Sequence, residues 1–368
     1  MTTMRVIDAD AHVREPRQMW ETYLEEPYRA RAPRIIKDNQ GFYRLLLEGK
    51  LHPRPEGKGC GVPYVKWAEP EREERLGAYN PEVRLRDMDT EGIAKALLLP
   101  TQGLAISSVE DPEFAAALCR AFNNWLAEFC RPYRDRLLGV AAVPLQDVPS
   151  AIQELDRAVT QLGYLAVYIR PNPIKGRNLD DPAYDPFYER AQALGVPVLV
   201  HEGTGHHVPT AGTDRFDVFF FTHMVSHPFE QMLASMCLIC GGVLERFPAL
   251  RVAFLEAGAS WLPYWLWRMD EHYHNRPFEV PGLRMRPSEY FRRQCYVTCE
   301  PEETPLPETV QRLGADRILF SSDYPHWDSL FPKSVATVRE RADLSEEAKA
   351  RILGLNAAEL LSLGSAAA

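Results

Sequence analysis

The chain is poor in the features that mark a membrane, secreted or nucleic-acid-binding protein. In its 368 residues no stretch approaches the ~18 uninterrupted apolar residues of a membrane span, and the N-terminus MTTMRVIDAD has no apolar signal core. A cytoplasmic protein without a membrane partner is therefore expected. No Lys/Arg run interleaves with aromatics and the formal net charge is −9, so a nucleic-acid partner has no electrostatic footprint. Cysteine is sparse as well. Of seven, only Cys237 and Cys240 have C-x-x-C spacing, in EQMLASMCLICGGVLERF, where the apolar periodicity is helical and no second Cys/His pair lies near. A buried helix is expected there in place of a redox or zinc site.

What the chain has is a repeating alternation. Apolar or β-branched runs fall at 5–10, 95–100, 137–144, 165–171, 196–203, 250–258, 294–300 and 316–325, with amphipathic helical stretches between most of them. Strands that alternate with helices argue for βαβ units, and near-continuous apolar runs for strands buried on both faces. Eight such strands predict an α/β fold, a (β/α)8 TIM barrel, as a single domain over 1–368. Residues 26–85, rich in Arg, Glu and Pro, form an insertion after strand one, with a hairpin expected in FYRLLLEGKLHPRP. A segment placed there is expected to act as a lid. The stretch GTGHHVPTAGTDRFDVFFFTHMVSHPFEQM reads as a second long loop, after strand five.

Strand one, RVIDADAHV, poses the chemical question, because carboxylates are depleted in strands and buried charge is costly unless paired or bound to metal. In a barrel the functional groups gather at the C-terminal strand ends. This sequence places Asp8, Asp10 and His12 at the end of strand one, His201 and Glu202 at strand five, Glu256 at strand six and Asp323 at strand eight. Histidine with carboxylate is a ligand set for a divalent transition metal (Zn, Fe or Mn), as one or two ions. Asp10 and His12, two apart, share one face of their strand. Asp8 reads equally as a loop cap, and Asp323 before Tyr-Pro can be read as a helix N-cap.

With VLVHEG on strand five, GGVLERFPALRVAFLEAGASWLPYW around strand six, RILFSSDYPHWD on strand eight and ARILGLNAAELL at the close, the chain resembles the amidohydrolase superfamily. Within it the resemblance is to the amidohydrolase-related branch that contains aminocarboxymuconate-semialdehyde decarboxylase and the resorcylate-type decarboxylases. The resemblance implies His12, His201 and Asp323 as metal ligands. Asp10 falls where members carry a His or Glu ligand. Glu256 falls where the decarboxylases usually carry the His of H-x-G, a departure that points away from decarboxylation. The leading expectation is thus a hydrolase using metal-activated water on an ester, thioester, lactone or amide of a bulky apolar substrate. Asp323, Glu256 and His227 are the candidate catalytic groups, and Glu256 is also a candidate ligand of a second ion. The alternatives are a non-oxidative decarboxylase of an aromatic or enoic acid, and a binding protein that has lost its chemistry.

Around this centre Arg170, His326, Trp327 and Trp261 are candidate substrate contacts. His227 shares a helical spacing with His223, but Pro228 sets the helix start, so His227 is expected just ahead of the helix in the mouth. His206 and His207 are expected to be solvated, and Phe219-Phe220-Phe221 to wall a pocket. WLPYWLWRMDEHY hints at a homodimer surface.

Overall fold

The computed structural model describes residues 5–39, 41–61 and 73–364. The strands are β1 (Val6–His12), β2 (Arg34–Lys37), β3 (Tyr43–Leu47), β4 (Lys50–His52), β5 (Ile93–Leu99), β6 (Leu137–Ala142), β7 (Ala166–Ile169), β8 (Val198–Val200), β9 (Val252–Phe254), β10 (Cys295–Cys299) and β11 (Ile318–Phe320). Eight of them pair in parallel in the order β1-β5-β6-β7-β8-β9-β10-β11. Beyond the paired strands the ring closes through the backbone: Asp323 N–H donates to Asp10 C=O at 3.0 Å and His12 N–H to Tyr324 C=O at 2.7 Å. The fold is the expected (β/α)8 barrel, and its strands are buried on both faces.

Local chemistry explains how the helices enter and leave. Asn80 and Asp111 accept backbone N–H groups at the starts of helices Pro81–Glu91 and Pro112–Cys130, each with proline at the first helical position. Gly92, at φ +76°, takes the left-handed turn from the first of these into β5. The helices then fasten strand ends with amide side chains. Gln231 Nε2 donates to Val200 and Leu255 C=O, both at 2.8 Å. Asn123 both donates to and accepts from Ala142, at 2.9 Å each way.

β1 carries one irregularity with consequences for the site. Asp8 pairs with Ala96 but Ala11 with Leu98, so three steps on β1 match two on β5, a β-bulge. Asp10 and His12 face the mouth. Asp8 instead lies beside Arg84, Asp87 and Met88 of the neighbouring helix. It accepts from the N–H groups of Asp10 (3.2 Å) and Ser322 (3.1 Å) and from the Ser322 hydroxyl. Asp8 therefore ties β1 to the loop after β11.

In the insertion, β3 and β4 form the expected hairpin, turning on Glu48 and Gly49 with φ of +47° and +77°. β2 adds a third antiparallel strand that pattern reading did not anticipate. Residues 62–72 of the expected lid lie outside the described residues. The described part docks on the loop after β8. Arg54 N–H donates to Gly205 C=O (2.8 Å), Gly59 N–H to Phe216 C=O (2.9 Å) and Thr222 Oγ1 to Cys60 C=O (2.6 Å). Side chains would not fit this approach: a Cβ on Gly61 would sit 2.4 Å from the Thr204 carbonyl oxygen.

Candidate metal centre and barrel mouth

Asp10, His12 and His201 are fully buried and converge at the C-terminal end of the barrel. His12 Nδ1 lies 2.8 Å from the Pro100 carbonyl and His201 Nδ1 faces that of Glu202. A carbonyl only accepts, so both rings carry a proton on Nδ1 and turn Nε2 to the mouth, where a bound cation would take the lone pair. Those two Nε2 atoms are 3.1 Å apart. Asp10 Oδ1 is 3.4 Å from one and 3.5 Å from the other, yet neither Asp10 oxygen receives a hydrogen bond from the described residues. A buried carboxylate without donors, beside two ring nitrogens this close together, is unfavourable unless a cation sits among them. Asp323 Oδ1 adds a fourth donor, 3.5 Å from His12 Nε2. Imidazole and carboxylate in this number suit a divalent transition metal.

Glu256 Oε2 is 2.8 Å from His201 Nε2 and its Oε1 3.5 Å from His227 Nε2. Glu256 and Asp323 are both held at positive φ, +53° and +49°, the kind of backbone strain that collects at functional sites. Burial opposes ionisation of Glu256, but the charges of His227 and His201 outweigh it and hold the carboxyl well below its usual range. Asp323 goes the other way. Burial, then the charges of Glu256, Asp328 and Asp10, push it well up.

Hydrogen-bond directions place a proton on the Asp323–His326 pair. The Thr101 hydroxyl donates to Val13 C=O at 2.8 Å, so toward His326 Nε2, at 3.1 Å, it accepts. His326 Nε2 therefore carries the ring's proton. Burial and the nearby charge of His12 keep this ring neutral, leaving Nδ1 bare toward Asp323 Oδ1 at 2.7 Å. Without a cation the proton of this pair therefore lies on Asp323, and a cation taking Asp323 Oδ1 would shift it to His326 Nδ1. His326, read from sequence as a substrate contact, has both ring nitrogens engaged and stacks on His12, with ring centroids 4.2 Å apart.

The other candidates are placed as follows. Arg170 is buried and paired with Glu202 at 3.1 Å, and also donates to Gly203 C=O at 2.9 Å. Trp261 packs on Phe254 and donates Nε1–H to Gly258 C=O at 2.8 Å. Trp327 stands half-exposed at the rim, against His223 and Phe219.

Several expectations are corrected. Helix Phe219–Cys240 begins nine residues before Pro228 and runs through it, so His227 is within the helix and shares a face with His223. Proline in a helix interior ordinarily disrupts it, yet this helix continues through Pro228. Phe220 and Phe221 point to solvent, and only Phe219 lies against the rim. His206 is buried, and His207 faces Leu51 C=O at 2.8 Å and Arg54 at 3.1 Å; both help seat the insertion. Pattern reading passed over Glu300, which follows β10 and is pushed well up by burial and by Glu256, Asp328 and Asp10. Its position at a strand end was the available signal.

Comparison with known proteins overturns hydrolysis as the leading expectation. The chain is 28% identical to 2-amino-3-carboxymuconate-6-semialdehyde decarboxylase of Dictyostelium discoideum, over 79% of each chain. It is 30% identical to gamma-resorcylate decarboxylase of Rhizobium radiobacter, over 66% of this chain and 76% of the relative. A dihydroxybenzoic acid decarboxylase from Polaromonas sp. JS666, with bound manganese and the inhibitor 2-nitroresorcinol, superposes with a TM-score of 0.69 at 23% identity, covering 98% of this chain and 97% of that one. The expectation erred because it let one position, Glu256, outweigh the rest of the mouth. The family model described as amidohydrolase matches residues 7–363, and the chain belongs to the amidohydrolase family.

Proposed function

We propose that this chain is a metal-dependent, non-oxidative decarboxylase of a small aromatic or enoic carboxylic acid. What carries the reading is the convergence of Asp10, His12, His201 and Asp323 on donor-free Asp10 oxygens, in a chain whose relatives include decarboxylases. Held by those four residues, a divalent cation (Zn, Fe or Mn) would supply a Lewis-acid anchor for the substrate carboxylate. The chain's own groups handle the proton. In the reaction the carbon–carboxylate bond breaks, its electron pair stays on carbon, carbon dioxide leaves and one proton is taken up at that carbon. The Asp323–His326 pair, 2.7 Å apart, holds such a proton; with Asp323 Oδ1 held to a cation the proton would lie on His326 Nδ1, and solvent restores it after turnover. Glu256 and His227 face one another beside His201, with Glu256 Oε1 3.5 Å from His227 Nε2.

The test is carbon dioxide release from a panel of hydroxybenzoic and enoic acids, run beside aryl-ester hydrolysis. Release that requires added divalent metal supports the reading; ester cleavage without release from any acid overturns it.

Two further parts belong to this reading. The insertion, docked on the loop after β8, serves as the lid and Trp327 as a rim contact for the apolar part of the substrate. Removing the β3–β4 hairpin should then alter substrate preference with metal content unchanged. A homodimer would cover the exposed Phe220, Met224, Phe229 and Leu233 of helix Phe219–Cys240 together with Tyr264 and Trp267. A monomer by sedimentation overturns that part. Among the described residues no helix is long and apolar enough to cross a membrane.

A further inference from the structure

The mouth holds more carboxyl groups than one divalent cation balances. Asp10, Glu256, Glu300, Asp323 and Asp328 lie close together there: burial, then the charges of Glu256, Asp328 and Asp10, push the Glu300 and Asp323 carboxyls well up. A carboxylate substrate entering this field meets repulsion unless further positive charge is present.

Next to His201 the mouth carries a second set of donors. His223 and His227 sit four residues apart on helix Phe219–Cys240, with ring centroids 4.7 Å apart. One ligand atom from each, and one oxygen of Glu256, lie within 4.8 Å of one another. The His227 Nε2–Glu256 Oε1 separation of 3.5 Å is close to that of two ligands on one ion, given bonds of about 2.0–2.2 Å. His227 is also oriented from behind: its Nδ1 faces Ser226 Oγ at 3.0 Å, and Ser226 Oγ faces Thr204 Oγ1 at 2.6 Å. Outer partners of this kind fix a ligating imidazole and its tautomer. Glu256 is fixed too, since its N–H donates to Thr298 Oγ1 at 3.0 Å. Its two oxygens face different imidazoles, Oε2 toward His201 and Oε1 toward His227. His223 opens toward Trp327 and Phe219, leaving a side for water or substrate.

We propose that His223, His227 and Glu256 form a second divalent-cation site, joined to the first through the Glu256 carboxylate. The proposal rests on the reading of the first centre only through Glu256 and His201. The paired cations would offset the anionic mouth and give the substrate carboxylate a two-point anchor. The competing arrangement is a simple ion pair of protonated His227 with Glu256, which binds no metal.

The experiment is a Mn(II) titration of the full-length, chelator-stripped protein, with free Mn(II) followed by electron paramagnetic resonance and bound metal by elemental analysis. The expected result is two equivalents per chain in the wild type, with the signature of an exchange-coupled pair. His223→Ala should retain one equivalent with the signal of an isolated ion. His223→Gln, which keeps a polar side chain of similar length, supplies the same readout if the alanine variant does not fold. One equivalent in the wild type, unchanged by either His223 substitution, overturns the second site and supports the ion pair. Failure of the first centre reads differently: His201→Ala would then leave the bound manganese at the wild-type level.

Discussion

Two carboxylates two residues apart on β1 belong to different regions of this molecule. Asp8 lies between the barrel wall and helix Pro81–Glu91, where it accepts from two N–H groups and a hydroxyl. Asp10 is as deeply buried in the mouth and accepts from no described donor. The same contrast separates the two regions at large. In the helical layer, the side-chain amides of Gln231, Asn123 and Asn356 donate to carbonyls at strand ends. In the mouth the polar groups face one another. Buried polar groups that fasten a fold are satisfied within it, whereas groups reserved for a ligand are left wanting by the protein alone.

The sharpest way to break the contrast is to remove the acid that the mouth holds ready. Asp323→Asn, which keeps an oxygen for the cation, should lower carbon dioxide release by roughly 10³-fold with bound metal retained by elemental analysis, within the range for loss of a positioned general acid. Secondary structure by circular dichroism should be unchanged. A loss of less than tenfold would remove Asp323 from proton transfer.

A paired substitution tests the contrast directly. Asp8→Ala strands two buried N–H groups and a hydroxyl, and should cost about 4 kcal/mol of stability at 1–3 kcal/mol per orphaned group. Asp10→Asn in chelator-treated protein should cost no more than about 1 kcal/mol, since it removes no hydrogen bond and Glu256 still faces His201 at 2.8 Å. It should instead lose metal. Urea unfolding of both variants measures the difference, and equal costs would show that Asp10 is structural after all.

This pair also marks how far the sequence could be read. The eight barrel strands were legible because each is an apolar run bounded by helix signals, and their ends then located Asp10, His12, His201, Glu256 and Asp323. Asp8 was ambiguous because the bulge that turns it away from Asp10 depends on pairing with β5, which strand one does not encode by itself. His227 was misplaced because Pro228 is a strong local helix-start signal, and here the surrounding packing overrides it. The proton on Asp323 required the hydrogen-bond sequence from Val13 through Thr101 and His326, which joins three segments distant in the chain. The choice between hydrolysis and decarboxylation was not legible, since both use the same ligand types at the same strand ends.

A smaller effect probes the border between the two regions. Glu230, on helix Phe219–Cys240, is buried and accepts one backbone N–H, from Ala211 at 2.5 Å. Burial, reinforced by the charge of Glu202, raises its carboxyl to about 7. The unfolded chain releases this proton near the ordinary value of 4.5. Between those values the folded state binds the proton more tightly, so stability falls as pH rises from about 4.5 to 7 and levels off above. With about 1.4 kcal/mol per pKa unit, the fall approaches about 3.5 kcal/mol. Glu230→Gln keeps an oxygen for the Ala211 N–H but does not titrate, so its stability should lack this fall. Relative to wild type, the variant should therefore gain as pH rises from 4.5 to 8 in urea unfolding. Parallel curves would mean that Glu230 finds a second partner in solution, and the border between satisfied and unsatisfied groups would move one shell closer to the mouth.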